Sequence, residues 1–462
     1  MLQRRFGLLQ AVSLNMSMMV GIGPFITIPT FVAKIGGPHA LIGWILGAIL
    51  ALADGLIWSE LASRFPGSGG TYHFYNAAYG ESRIGRLLRF LFVWQFLFSG
   101  PLEIASGGIG LSQYVSYFVP SLSTPVVEWG HTFGLGIFTV SRGKFLAVGV
   151  LAAITALAYR RIDVAGRLMV ILWSGMLLTV GWVIVCGLSH FDSSLLLDLP
   201  SDAWEPSEKN LLGLGMALSI AMYDFLGYYQ VCYLGDEVAN PAKTIPRSIL
   251  ISVVAIATAY LTMNASILGV IPWREVVESK HLASDLMRRI YGVGAANLVT
   301  LMIIWTAGAA TFAAILSYSR IPYASARAGH FYRAFAELHP TKDFPHRSLL
   351  MIGGLAMFAC LFELGTVIEA LIASRILIQF VGQIITLFHV RRHSVGDDRQ
   401  GFRMPLYPIP AVVALIGWLF VFGSSGWNIL AYAVGTLALG GVAFLAWDRT
   451  NFEASLDPQG EA

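Results

Sequence analysis

Four charged side chains stand inside long apolar runs of this chain: Asp54, Glu103, Asp224 and Arg375. A charge near the middle of a bilayer costs at least about 2.5–3.5 kcal/mol, so such groups face a bundle interior or a wet cavity and mark solute or ion paths. Asp224 lies in Met222-Tyr223-Asp224-Phe225-Leu226-Gly227-Tyr228, an acid among aromatics with a glycine three residues on. It is expected to anchor a substrate ammonium or carry a proton; the structural reading is a cap on a helix end. Glu103 follows Gly100-Pro101 and is expected on a disturbed helix, as a ligand for an amine or a proton site. Its structural reading is a buried pair with Arg375. Arg375, Gln379 and Gln383 recur at intervals of four, which puts them on one helical face. That face is expected to point inward, and Asp54, Glu103, Asp224, Arg375 and Gln379 are expected to form a charge network.

Such groups need elements to hold them. The first apolar run contains Gly21-Ile22-Gly23-Pro24-Phe25, with Pro29 beyond. Proline removes a backbone donor and clashes with the preceding turn. Irregular backbone at membrane depth is tolerated only where protein buries it or a wet cavity meets it. A second interruption is expected at 223–228. Half-helix N-termini offer N–H groups to a carboxylate and C-terminal ends offer carbonyls to an ammonium. Gly21, Ile22, Gly23, Pro24, Phe25, Tyr223, Asp224, Phe225, Gly227 and Glu103 are therefore the expected substrate-binding residues.

Composition agrees with a bilayer setting. Of 462 residues, 56% are apolar and only 12% charged, against roughly a quarter charged in soluble proteins; mean hydropathy is +0.67. At about 20 residues per crossing, twelve spans are expected: 8–33, 40–63, 87–119, 145–160, 165–190, 209–235, 247–271, 294–320, 347–364, 366–390, 408–424 and 427–447. With the N-terminus inside, the connections on the cytoplasmic side hold 21 Lys and Arg and the outer ones 8, which predicts both termini in the cytoplasm. Spans one and six are five helices apart, so a five-helix repeat would recur inverted, over 8–190 and 209–393, followed by two helices over 408–447. The expected class is thus an all-α membrane protein forming one domain over 1–462. Its net charge of +3 is small and argues against a nucleic-acid partner. Cys186, Cys232 and Cys360 are widely separated in apolar runs and read as packing residues. No nucleophile elbow, zinc motif or Walker loop is present, so no enzyme, metal or cofactor is expected.

Several stretches resemble the amino acid–polyamine–organocation permeases. The glycine break of the first span looks like that family's substrate-carboxylate motif. Glu60-Leu61-Ala62-Ser63-Arg64-Phe65-Pro66-Gly67-Ser68-Gly69-Gly70-Thr71-Tyr72 is similar to its loop after helix two, and Glu237-Val238-Ala239-Asn240-Pro241 to its signature after helix six. Ser319-Arg320-Ile321-Pro322-Tyr323-Ala324, with His339-Pro340, resembles its loop after helix eight. Gly23-Pro24-Phe25, Asp54, Glu103 and Tyr159-Arg160-Arg161-Ile162-Asp163-Val164-Ala165-Gly166 look like the polyamine-uptake branch, related to the L-type amino acid carriers. That branch places a Trp-Asp pair where this chain has Tyr228-Tyr229. The resemblance implies twelve helices in an inverted-repeat transporter fold with helices one and six broken, and makes Tyr223 a gating aromatic.

The expected function is secondary active transport of an amino acid or related amine across the plasma (inner) membrane by alternating access. Protons are the expected coupling ion, since a carboxylate such as Asp224 or Glu103 can load outside and release inside. Polyamine uptake, amino acid exchange and substrate sensing without transport are the alternatives.

Overall fold

The computed structural model describes residues 7–129, 138–159, 165–201, 203–205, 207–340, 344–395 and 401–456. Residues 160–164 of the Tyr159–Gly166 motif lie outside these.

Proline and glycine chemistry sets the first break. Helix α1 (Leu8–Met19) ends where Pro24 would clash with the carbonyl of Val20 and could not donate to it. Val20 leaves helical geometry (φ −93°, ψ 78°). The chain resumes as α2 (Gly23–Ile26) with Pro24 in its first turn, and, after Thr27, as α3 (Ile28–Ile35) with Pro29 likewise placed. Proline is tolerated there because first-turn amides have no helical acceptor.

Helices α4 (Leu41–Arg64), α5 (Thr71–Tyr79) and α6 (Arg83–Val115) follow. Helix α6 runs unbroken through Pro101, which corrects the expected disturbance before Glu103. One lost backbone bond is outweighed by a 33-residue helix packed against several others. A two-stranded antiparallel ribbon, β1 (Pro125–Trp129) with β2 (Phe138–Ser141), departs from the all-α expectation. Then come α7 (Arg142–Ala158), α8 (Ala165–Ser189), the short α9 (Ser193–Leu196) and α10 (Glu208–Phe225).

The second break follows α10. Leu226 is extended (φ −54°, ψ 140°) and Gly227 takes φ +107° before a 3₁₀ segment over Gln230–Glu237. Only glycine adopts that φ without strain, and a Cβ there would lie 2.6 Å from Cβ of Met18 at the end of α1. Gly227→Ala is therefore expected to destabilise the protein by about 1–3 kcal/mol, read as a lowered unfolding temperature in detergent; an unchanged temperature would refute this account of the turn.

The remaining helices are α11 (Pro241–Leu268), α12 (Trp273–Glu278), α13 (Leu282–Tyr291), α14 (Val293–Tyr318), α15 (Arg320–Arg327), α16 (His346–Ala359), α17 (Leu364–Arg375), α18 (Gly382–His393), α19 (Ile409–Gly423) and α20 (Trp427–Leu456). A π-helical turn, Ile376–Val381, joins α17 to α18. Eight helical stretches among the described residues are long and apolar enough to cross a bilayer. Leu178, Trp305, Ile416 and Val442 stand more than half exposed, as a lipid-facing surface requires, since a water-facing one rarely carries such apolar breadth. Charge goes the other way: Asp54, Glu60, Asp224 and Arg375 are buried.

Candidate functional site

The two breaks face each other. Helix α10 packs against α2 and α3, and Thr27 donates its hydroxyl to Oδ2 of Asp224 at 2.6 Å. Asp224 Oδ1 is buried with no hydrogen-bond partner and lies against Gly23, where an ideal Cβ would sit 2.1 Å from it. Tyr260 of α11 ties the ends together from behind: its hydroxyl donates to the Met19 carbonyl (2.8 Å) and stands 3.4 Å from that of Asp224. Asn15 of α1 accepts from the Val231 amide at 2.9 Å. In α2, the Phe25 and Thr27 amides bond to Ile22 and Gly23. The amides of Ile22 and Gly23 find no acceptor among the described residues, which leaves two donors at the mouth of a helix start.

Between the breaks is a cavity of about 60 Å³, room for a few waters or one small solute. It is lined by Met18, Met19, Gly21, Ile22 and Gly23 from the first break, by Tyr223, Asp224 and Leu226 from the second, by Glu103, Ser106 and Gly107 of α6, and by Ala307, Ala310, Thr311 and Ala314 of α14. Tyr223 and Ser106 hydroxyls meet at 2.8 Å, which fixes the ring over the cavity. A wider recess of about 430 Å³ reaches Thr27 from the side of Lys280 and Glu369. The Thr27–Asp224 contact thus stands between recess and cavity.

Of the expected binding residues, Gly21, Ile22, Gly23, Tyr223, Asp224 and Glu103 line this cavity; Pro24, Phe25, Phe225 and Gly227 shape the breaks behind it. The Phe25 carbonyl accepts from Tyr114 (3.0 Å), and Phe225 packs edge-on to Trp44. Glu103 also meets Arg375, Oε2 to Nη2 at 2.7 Å, so the structural pairing and the cavity position both hold. Arg375 further donates to Ser99 (3.2 Å) and Tyr229 (3.3 Å). Gln379 and Gln383 are buried as well, beyond the start of the π-helical turn, and Gln383 donates to Thr71 at 2.9 Å.

The charge network needs two corrections: Asp224 bonds to Thr27 and to none of the other expected members, and Asp54 stands apart as well. Its carboxylate is held by two neutral donors, Tyr228 (2.5 Å) and Trp418 (3.1 Å), and knits α4, the segment after the second break and α19 together. Glu60 makes a separate buried cluster with Arg64 (3.0 Å) and Arg391 (2.6 Å). Sequence reasoning missed Ser106, Tyr260 and the α14 alanines. The spacing 307, 310, 311, 314 is one helical face of small residues, a signal that was readable but is shared by ordinary packing seams.

Two broken helices around a buried acid, in a bundle with a lipid-facing exterior, define a multi-pass membrane solute carrier. The chain belongs to the amino acid permease family, whose sequence profile matches residues 6–442. It is 26% identical over 431 residues to the serine/threonine exchanger SteT of Bacillus subtilis, covering 92% of this chain and 91% of that protein. It is 24% identical to the branched-chain amino acid permease BcaP of the same organism, over 97% of this chain and 94% of the relative. The mouse cationic amino acid transporter 4 is 24% identical over 96% of this chain and 72% of its own length. The family and these relatives are transporters rather than enzymes.

Proposed function

We propose that this protein carries a small zwitterionic α-amino acid across the plasma membrane by alternating access, coupled to protons. The observation that carries the reading is the meeting of two helix breaks at one cavity. The acceptor-free Ile22 and Gly23 amides suit the substrate carboxylate, and the unpartnered Asp224 Oδ1, with the carbonyl ends of α1 and α10, suits the ammonium. Ala307, Ala310 and Ala314 leave room for a small side chain only. The substrates named for the relatives range over serine and threonine, branched-chain and cationic amino acids, and cavity size favours the first kind. Polyamine uptake would need a second free acid, and Glu103 is engaged by Arg375.

In this reading the twelve spans form two inverted five-helix repeats, 8–190 and 209–393, with 408–447 appended and both termini cytoplasmic. Asp224 is the group that holds the substrate ammonium. Support comes from its burial and from the Thr27 contact between recess and cavity.

The test is uptake in proteoliposomes holding the purified protein, with labelled alanine, serine and threonine under an imposed inward proton gradient. Accumulation that a protonophore collapses is the expected result. Indifference to the gradient would remove the coupling, and no uptake or counterflow of any amino acid would remove the transport reading.

A further inference from the structure

The cavity holds two carboxylates but only one is available to a ligand, and the reason lies outside it. Arg375 does not line the cavity. It is 1% exposed at the end of α17, where the π-helical turn begins. Its guanidinium meets Glu103 at 2.7 Å, while Ser99 and Tyr229 accept two of its remaining N–H groups. The rings of Phe96 and Tyr318 lie 5.7 and 5.9 Å from it. Ser99 is itself held by Gln95 at 2.9 Å. These contacts hold the guanidinium in place beside Glu103. No described cation stands against Asp224.

We infer that Arg375 is a specificity-determining residue that acts through Glu103: by neutralising that carboxylate from behind, it leaves the cavity with the single free negative charge of Asp224 and so rejects substrates with a cationic side chain. This rests on the transport reading above. A solute with one ammonium finds one acid. A second ammonium would have to displace a guanidinium that is better seated than itself, and a buried cation without a counter-charge is strongly disfavoured. Discrimination here comes from an occupied acid rather than from steric bulk.

Norvaline and 2,4-diaminobutyrate have nearly the same shape and differ in a terminal methyl against an ammonium, so their ratio isolates charge from size. Competition of each against labelled alanine in proteoliposomes is expected to show the wild-type protein preferring norvaline by about tenfold or more. Arg375→Gln is expected to narrow or invert that ratio by about tenfold, Arg375→Lys to keep it, and the double variant Glu103→Gln/Arg375→Gln to return it to the wild-type value. A residue that only braced the fold would weaken both ligands together and leave the ratio alone.

An unchanged ratio in Arg375→Gln, or a wild-type protein that takes both ligands equally, overturns the role of Arg375 while alanine transport keeps the functional reading. If Arg375→Gln does not fold, Glu103→Gln decides: discrimination kept or increased supports the inference, and improved binding of diaminobutyrate ends it. A wild-type protein that carries no amino acid at all takes both proposals down together.

Discussion

Asp224→Asn is expected to abolish binding of amine-bearing substrates while the protein folds and purifies normally. The two halves of that result have separate causes. Asparagine keeps a carbonyl oxygen where Asp224 Oδ2 now accepts from Thr27 at 2.6 Å, so the clip between the two breaks survives. It also replaces an oxygen that is buried without a hydrogen-bond partner, so the fold loses nothing that held it. What disappears is the only carboxylate of the cavity not already paired with a cation. Removing one member of a buried charge pair typically costs about 2–5 kcal/mol, about thirtyfold or more in affinity at about 1.4 kcal/mol per decade. The measurement is thermal unfolding in detergent with and without alanine or serine. The unliganded variant should melt close to the wild type, and the ligand-induced rise should vanish. A ligand-induced rise of wild-type size would take Asp224 out of the site.

The same residue shows where sequence reasoning reached and where it stopped. Both breaks were legible because their causes are local: Pro24, beside Gly21 and Gly23, takes away the amide that the Val20 carbonyl would need, and Gly227 permits a φ that other residues resist. That Asp54, Glu103, Asp224 and Arg375 turn inward was legible too, from the cost of charge in lipid alone. Which charge meets which was not. Asp54 finds Tyr228 and Trp418, separated from it by 174 and 364 residues, and no spacing rule reaches that far. Nothing local separates it from Glu103, which has a cation, or from Asp224, which has none. Pro101 misled for the opposite reason. Its local effect is the same as that of Pro24, but no glycine pair adjoins it to release the chain, and packing carries α6 through. The alanine face of α14 went unread because small residues at helical spacing serve close packing and cavity lining equally well.

Gly23→Ala should lose transport where Gly21→Ala, two residues away in the same break, costs less than about tenfold. The contrast follows from what each added methyl would touch. At Gly21 the nearest atom is Cβ of Ala310 at 3.7 Å, an ordinary contact. At Gly23 it is Oδ1 of Asp224 at 2.1 Å, followed by Cε1 of Tyr223 at 3.1 Å. Neither can yield freely. Asp224 has a short side chain whose other oxygen is bound to Thr27, and Tyr223 is fastened to Ser106. The carboxylate must rotate out of its place, and a misplacement of about 1 Å is enough to cost about a hundredfold in systems that depend on held geometry. Both glycines lie at the same break and line the same cavity, so general damage to the unwound backbone would impair the two variants alike. Initial rates of alanine counterflow in proteoliposomes, at equal protein content, separate the cases. Equal loss in both would mean that the break needs flexibility at every glycine, and equal retention would mean that the carboxylate has no fixed station above Gly23. A Gly23→Ala protein that folds but does not transport, beside an active Gly21→Ala, would place the anion where the structure puts it.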